Sequence, residues 1–382
     1  MLHKHHNIYT IFTLVLTLLF CLPIVAQQQS VSTNSNSATT LDKAKQPDAP
    51  SAIAERFFNG MNAGDQYGRS VSSAGDVNGD GYDDLIIGAP FYDDGVNTIA
   101  GRAYIYFGGN IINNMPDVTL TGEAVDDRFG FSVSSAGDVN GDGYSDVIVG
   151  AYVNNNFTGK SYIFFGGSTI SGNINASSAD VTMTGEATSN RFGWSVSSAG
   201  DVNGDGYSDV IVGAYQHNTS TGKSYVFFGG SSMSGNIATS SADVTITGET
   251  THNRFGYSVS STGDVNGDGY SDVIVGAYQH NNFTGKSYVF FGGSSMSGNI
   301  AAASADVTMT GETTSGDHFG ISVSSAGDVN GDGYSDVIVG AYGNNSYTGK
   351  SYIYFGGSTM NSTPDVIMTG ETASDSFGFS VA

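Results

Sequence analysis

Short apolar and polar runs alternate along most of the chain, and they recur with a period of about 60 residues. In one copy, residues 129–133 alternate large apolar with small side chains, which is typical of a strand with one buried face. Residues 146–152 form a continuous apolar run that suits a strand buried on both faces. Residues 160–165 predict a third strand, and residues 180–184, after a Ser/Gly/Asn loop, predict a fourth, outer strand.

Repetition of this four-stranded unit predicts an all-β fold. Helix-forming residues are scarce, whereas Val, Ile, Thr, Tyr and Phe, which favour strands, are abundant. One such sheet cannot cover both of its faces, so neighbouring copies must pack on each other. We therefore predict a β-propeller over residues 53–382, with five full blades and the start of a sixth. A β-helix would need shorter rungs, and separate sandwiches would need roughly 100 residues each.

Each copy carries the same acidic loop between its first two predicted strands. The loop reads Asp-Val-Asn-Gly-Asp-Gly-Tyr-Ser-Asp, with Asp replacing Ser in the first copy, and it starts at residues 76, 138, 201, 264 and 328. Oxygen-bearing side chains fall at positions 1, 3, 5 and 9, the spacing by which one tight turn directs several oxygens at a single Ca²⁺ ion. Glycine at position 6 permits the sharp turn at positive φ.

We therefore predict about five Ca²⁺ ions, one for each complete loop. Positions 1, 3, 5 and 9 would supply side-chain oxygens, position 7 a backbone carbonyl, and a water would complete about seven ligands. Because the ninth residue closes the loop and strands flank it, calcium is expected to be structural rather than a switch. The predicted ligands are Asp76, Asn78, Asp80, Tyr82, Asp84, Asp138, Asn140, Asp142, Tyr144, Asp146, Asp201, Asn203, Asp205, Tyr207, Asp209, Asp264, Asn266, Asp268, Tyr270, Asp272, Asp328, Asn330, Asp332, Tyr334 and Asp336.

The N-terminal residues indicate export from the cell. Lys4 precedes an apolar run over residues 11–25, which is typical of a secretory signal peptide cleaved after Ala26. An uncleaved anchor is the alternative, although the run is short for a membrane span. Residues 27–52 are polar without apolar periodicity and predict a disordered linker. We expect a secreted or cell-surface protein that does not insert into a membrane once the signal peptide, residues 1–26, is removed.

Charge and motif content narrow the possible partners and chemistry. The net charge of −23 argues against nucleic-acid and anionic-membrane partners. Thr-Gly-Lys-Ser recurs, as at residues 158–161, but the glycine that a phosphate loop needs upstream is Asn154, and a strand follows. The histidines lack metal-ligand spacing, no nucleophile elbow is present, and the carboxylate pairs that recur in every repeat lie inside the acidic loops. We therefore predict that the chain is not an enzyme.

The order of these motifs resembles that of FG-GAP repeats, the blades of the integrin α-chain β-propeller. The Phe-Gly element stands at residues 67–68 (as Tyr-Gly), 129–130, 192–193, 255–256, 319–320 and 377–378. Gly-Ala-Pro is intact only at residues 88–90 and reads Gly-Ala-Tyr elsewhere, as at residues 150–152. The calcium loop lies between the two elements, as in the family. Because the family usually closes a ring of seven blades, we expect this chain to be incomplete; its cysteine-free blades are most similar to the bacterial secreted type.

The resemblance implies a secreted calcium-binding module for adhesion or for interaction with an extracellular protein or glycan. In the integrin family, ligands engage the rim opposite the calcium loops. The corresponding loops here are residues 152–159, 215–222, 278–285 and 342–349. Two alternatives stay open: the non-catalytic part of a secreted hydrolase resembling glycosylphosphatidylinositol phospholipase D, or a structural extracellular repeat.

Overall fold

The computed structural model describes residues 58–60, 62, 64–93, 95, 99–110, 112, 114–312 and 316–382. These residues form five β-sheets that follow one another along the chain. The predicted all-β fold of propeller blades is thereby confirmed. The predicted signal peptide, residues 1–26, and the predicted linker, residues 27–52, lie outside the described residues.

Each blade contains four antiparallel strands in chain order. The first strands, which pack against the first strands of neighbouring blades, are β1 (Val71–Gly75), β5 (Ser132–Gly137), β10 (Ser195–Gly200), β15 (Ser258–Gly263) and β20 (Ser322–Gly327). The second strands are β2 (Asp84–Ala89), β6 (Asp146–Ala151), β11 (Asp209–Ala214), β16 (Asp272–Ala277) and β21 (Asp336–Ala341). The third strands are β3 (Arg102–Tyr106), β7 (Lys160–Phe164), β12 (Lys223–Phe227), β17 (Lys286–Phe290) and β22 (Lys350–Tyr354). The fourth strands are β4 (Val118–Thr121), β9 (Val181–Thr184), β14 (Val244–Thr247), β19 (Val307–Thr310) and β23 (Val366–Thr369).

The hydrophobic cores lie between neighbouring blades, and the second strand contributes to two of them. In β6, Val147 and Val149 pack in the core shared with blade 1, whereas Ile148 packs in the core shared with blade 3. All three side chains are fully buried. Because successive side chains of a strand point to opposite faces, a continuous apolar run is what a strand between two covered faces requires.

The Phe-Gly element lies ahead of the first strand, so the predicted strand over residues 129–133 was wrong at its N-terminal end. Phe129 forms an isolated bridge with Gly101 of the preceding blade, and its ring packs on Tyr162 and Phe164. Gly130 has φ 83, and the ladder begins only at Ser132. The alternation that suggested a strand therefore reflects an anchor between blades.

The sheets of blades 1, 2 and 3 each contain a fifth strand, which the sequence analysis did not predict. These arm strands are β8 (Gly172–Asn175), β13 (Gly235–Ala238) and β18 (Gly298–Ala301). Each lies between the third and fourth strands of its own blade but pairs in parallel with the fourth strand of the preceding blade. The Ser/Gly/Asn segments predicted as loops therefore link consecutive blades at their outer edges. A single 3-10 turn follows each arm, at Ala176–Ser178, Thr239–Ser241 and Ala302–Ser304.

Candidate metal centres and interaction rim

The first aspartate of each acidic loop organises the turn around its carboxylate. In blade 2, Asp138 Oδ1 accepts hydrogen bonds from the N–H groups of Gly141 at 2.7 Å and Asp142 at 3.1 Å. Its Oδ2 accepts from the N–H of Gly143 at 2.9 Å, and Gly143 has φ 88. This positive φ explains why position 6 is glycine, because other residues rarely adopt this backbone conformation. The same three contacts recur in all five loops.

Positions 3 and 5 of the loop are also in direct contact. Asn140 Oδ1 accepts from the Asp142 N–H at 2.8 Å, and Asn140 Nδ2 donates to Asp142 Oδ2 at 2.9 Å. Both residues are exposed to solvent or partly so. The structure therefore brings the predicted ligands at positions 1, 3 and 5 together at the mouth of the loop.

The ninth residue, Asp146, is fully buried beneath this mouth. Its Oδ2 accepts from the Val139 N–H at 2.9 Å, and its Oδ1 accepts from the Gly166 N–H at 2.8 Å, beyond the end of β7. Burial raises the pKa of Asp146 to about 7, the two N–H donors lower it, and the nearby carboxylates of Asp142 and Asp138 raise it further. Asp209 and Asp272 have their pKa values raised to about 7 for the same reasons.

The donor chemistry of these loops fits a hard cation. Carboxylate and amide oxygens are the ligands that Ca²⁺ prefers, and neither thiol nor imidazole groups occur in the loops. Clustered carboxylates around a buried one also leave negative charge that a cation would balance. Within the described part of the chain, no three His, Cys, Asp or Glu side chains form a preassembled metal cluster. Ligation by all five positions, including position 9 and the position 7 carbonyl, therefore stays a prediction.

Each of the first four acidic loops is held in place by the loop of the following blade. The ring of Tyr207, at position 7 of the blade 3 loop, packs directly on Gly141 of the blade 2 loop. The N–H of Ser208 donates to the Asp138 carbonyl at 3.0 Å. Val139 of the blade 2 loop is fully buried, whereas its blade 5 counterpart Val329 is 52% exposed. Tyr and Ser at positions 7 and 8 therefore serve the contact between blades as well as the loop itself.

The loops between the second and third strands form the opposite rim, because they leave the other ends of the second strands. In blades 2–5 each of these loops contains a single helical turn whose middle residues are left-handed, and the turns span Asn154–Phe157, His217–Ser220, His280–Phe283 and Asn344–Tyr347. In blade 4, Asn281, Asn282 and Phe283 have φ 47, 55 and 66. A left-handed non-glycine residue costs roughly 1–2 kcal/mol, and such strain persists only where surrounding contacts enforce it.

Contacts with the next blade stabilise these strained turns. In blade 2, the Phe157 carbonyl accepts from the Arg191 N–H at 2.8 Å, and the Arg191 guanidinium lies 5.0 Å from the Phe157 ring centroid. Arg191 Nη1 also donates to Tyr215 Oη at 2.7 Å. In blade 4, the Phe283 carbonyl accepts from the His318 N–H at 2.8 Å. The turns are thus rigid elements shared by two blades.

The residue that begins each turn is asparagine in blades 2 and 5 and histidine in blades 3 and 4. In blade 2, buried Asn154 donates to Asp127 Oδ1 at 2.9 Å, and burial raises the pKa of Asp127 to about 6. In blade 3, His217 replaces Asn154 and its Nε2 lies 3.2 Å from Glu186 Oε2. Burial lowers the pKa of His217. His217 therefore takes part in the packing of the rim.

An aromatic layer below the turns was also missed by the sequence analysis. The ring centroid of Trp194 lies 4.5 Å from that of Phe131, 4.7 Å from that of Tyr215 and 5.3 Å from that of Tyr257. Trp194, Phe131 and Tyr257 each follow a Phe-Gly element, and Tyr215 stands where the Gly-Ala-Pro motif has proline. The change from Gly-Ala-Pro to Gly-Ala-Tyr was therefore the signal for this layer.

Comparisons with known proteins agree with this architecture. The family described as FG-GAP repeat matches residues 67–106, 129–164, 192–227, 255–290 and 319–354, one segment for each blade. Integrin alpha-5 of Xenopus laevis is 35% identical over 165 residues, which are 41% of this chain and 15% of the relative. Integrin alpha-6 of Gallus gallus is 34% identical over 193 residues, 50% of this chain and 17% of the relative. Integrin alpha-PS2 of Drosophila melanogaster is 36% identical over 174 residues, 42% of this chain and 12% of the relative.

The chain thus spans only a small part of the length of these curated relatives. Among the described residues, no helix has the length and apolar character needed to cross a membrane. The five repeats place the Phe-Gly element, the acidic loop and the Gly-Ala element in the same order in every blade. The chain is an FG-GAP repeat protein whose blades resemble the propeller of integrin α chains.

Proposed function

We propose that this protein is a secreted or cell-surface interaction module, without catalytic activity, that binds an extracellular protein or glycan for adhesion. Calcium in the acidic loops would stabilise the blades, and the partner would bind at the opposite rim. The observation that carries the proposal is the row of four strained turns along that rim. Strained backbone held by surrounding contacts is concentrated at functional sites, binding sites among them.

The exposed tips of the turns have the chemistry of a recognition surface. Asn155, Asn156, Asn281 and Asn282 are exposed amides that could donate to and accept from a polar ligand. Phe283 and Tyr347 are exposed by 36% and 48% and lie at the third left-handed position of their turns. Rigid aromatic side chains beside adaptable amides favour binding, because little conformational entropy is lost on contact. The similarity to integrin α chains also supports an interaction role.

Replacing the two exposed aromatics is expected to weaken partner binding. Ser220 stands at the same turn position in blade 3, so Phe283→Ser and Tyr347→Ser introduce a residue that this turn already accommodates. An aromatic anchor at an interface contributes about 2 kcal/mol or more, so the double variant should bind at least about 30-fold more weakly. The measurement is surface plasmon resonance with probes first selected on an array of defined glycans and a panel of purified extracellular-matrix proteins.

Asp201→Ala, in an acidic loop at the other rim, is the matched control. It should lower calcium content and leave binding of the selected probe unchanged in protein that is still folded. If the control abolishes binding and the aromatic double variant does not, the acidic loops form the binding face and the rim assignment is wrong. If no glycan or matrix protein on the arrays binds the parent, the proposed partner class is wrong.

A further inference from the structure

Among the residues that the structure describes, no arm covers the outer edge of blade 4, whereas an arm covers the same edge in blades 1–3. In those blades the fourth strand carries a parallel fifth strand supplied by the next blade. In the described part of the chain, blade 4 consists of β15, β16, β17 and β19, and its outermost strand is β19; β23, the outermost strand of blade 5, also carries no arm. Backbone N–H and C=O groups along an uncovered strand edge are free to pair with another extended segment.

The cause is a shorter loop in blade 5. From the glycine pair after the third strand to the aspartate before the fourth, the loop spans residues 292–306 in blade 4 and 356–365 in blade 5. Both loops begin alike, since the N–H groups of Met296 and Met360 donate to the carbonyls of Gly293 and Gly357. After Met360, blade 5 reads Asn-Ser-Thr-Pro and continues directly to Asp365. The blade 5 loop therefore has no Gly-Asn-Ile segment that could pair with β19.

The three covered edges define one register. Val244 of β14 pairs with Gly298, Thr245 with Asn299, Ile246 with Ile300 and Thr247 with Ala301. The same pattern of valine opposite glycine, and of a large apolar residue opposite isoleucine, recurs between β4 and β8 and between β9 and β13. On β19, this register places glycine opposite Val307, asparagine opposite Thr308, isoleucine opposite Met309 and a small residue opposite Thr310.

The hydrogen bond at the start of each arm is also the same in the three blades. The N–H of the arm glycine donates to the carbonyl of the aspartate before the fourth strand at 2.9 Å for Asp117 and at 2.7 Å for both Asp180 and Asp243. Asp306 is the corresponding residue before β19, and no N–H within the described residues donates to its carbonyl. Thr310, at the other end of β19, is exposed, whereas Thr121, Thr184 and Thr247 are partly covered. The acceptor and the edge are thus both available.

We propose that the outer edge of β19 binds an extended, uncharged peptide segment of a partner protein in parallel, with glycine opposite Val307 and a branched aliphatic residue opposite Met309. Addition of a strand to a sheet edge gains affinity from main-chain hydrogen bonds and specificity from alternate side chains. Glycine and asparagine at the first two positions, and alanine or asparagine after the aliphatic one, match what this surface holds in three other blades. The segment would take the place of the missing blade 5 arm.

The probe for this site is a fluorescently labelled peptide copying residues 297–305, Ser-Gly-Asn-Ile-Ala-Ala-Ala-Ser-Ala. Fluorescence anisotropy with the full chain should give saturable binding, and hydrogen exchange separates peptide bound at β19 from peptide bound at β23, which in the described residues carries no arm either. A matched peptide with aspartate at the isoleucine position should bind at least about tenfold more weakly, because a charge would lie where Ile300 packs against the core. Hydrogen exchange at Val307–Thr310 should slow when the parent peptide is bound.

The decisive variant replaces Asn361–Pro364 by the sequence of residues 297–305, which restores an arm to blade 5. The peptide should then cause no further slowing of exchange at Val307–Thr310, since the β19 edge is occupied from within the chain. Further slowing at Val307–Thr310 when peptide is added to this variant, no binding to the parent, or slowed exchange only in another blade would each overturn the proposal. Dimerisation of the parent that the variant abolishes, without peptide binding, would assign the edge to a second copy and also overturn it. Neither the turns of the rim nor the acidic loops are altered, so the result is independent of the proposed function.

Discussion

Removal of calcium is expected to lower the melting temperature of the chain by on the order of 10 °C or more. Modules of this chemistry outside cells bind calcium with dissociation constants of about 10⁻⁴ to 10⁻³ M. At about 10 mM calcium, each site would then stabilise the folded chain by about 1.4 to 2.7 kcal/mol, because the ion binds only the folded loop. The effect should be large because five loops contribute and each packs on its neighbour, as Tyr207 does on Gly141.

Thermal unfolding of the metal-stripped chain, followed by circular dichroism, measures this effect. Calcium at about 10 mM is compared with sodium chloride of equal ionic strength and with magnesium at the same concentration. Magnesium should stabilise much less, because it requires short bonds in a rigid octahedron. Equal melting temperatures in calcium and in sodium chloride would refute a structural role for calcium.

Gly213→Ala is expected to destabilise the chain by about 3 kcal/mol or more, because its Cβ would overlap backbone of the next blade. An ideal Cβ on Gly213 would lie 2.1 Å from the Gly256 carbonyl oxygen and 2.3 Å from Ser195 Oγ. Ser195 Oγ already donates to that carbonyl at 3.1 Å, so the three groups are in close contact. Gly213 belongs to the Gly-Ala element and Gly256 to the Phe-Gly element, so the two motifs meet at the interface between blades.

Ala214→Gly is the matched control, since it changes the next residue by one methyl group in the opposite sense. Ala214 is buried in the core between blades 2 and 3, and its loss of a methyl group together with glycine's added flexibility should cost about 1 kcal/mol. Urea unfolding of both variants in saturating calcium gives the comparison. A Gly213→Ala variant as stable as the parent would show that the blades can separate without loss, and the packing account of the two motifs would fail.

The sequence predicted the parts of the fold that depend on side-chain periodicity. The run at residues 146–152 was identified as a strand covered on both faces, and β6 does place Val147 and Ile148 in different cores. The acidic loops were identified as turns because each has glycine and oxygen-bearing residues at fixed positions, and the contacts of Asp138 bear out the turn. The sequence pattern predicted a feature correctly where the contacts that form it lie within one blade, or where any apolar surface can cover the residue.

The features that were missed depend on which blade lies next along the chain. The arm Gly172–Asn175 is polar, short and rich in turn-forming residues, so nothing local indicates that it pairs with the preceding blade. The left-handed turn at Asn281 and Asn282 is enforced by contacts such as that between the Phe283 carbonyl and the His318 N–H of the next blade. Likewise, the ninth aspartate was expected to face the ion. Its additional hydrogen bond to the Gly166 N–H could not be predicted, because it depends on where the end of β7 lies in the fold.

The central claim, one structural calcium ion in each acidic loop, is tested most directly by counting ions with native mass spectrometry. The parent chain in calcium should carry five ions, and Asp142→Ala should carry four, because the other loops keep all of their oxygen donors. Asp83→Ser is the matched control: it removes an exposed carboxylate from the blade 1 loop at a position where the other loops have serine, and it should keep five. A parent chain without bound calcium, or five ions retained by Asp142→Ala, would contradict the account.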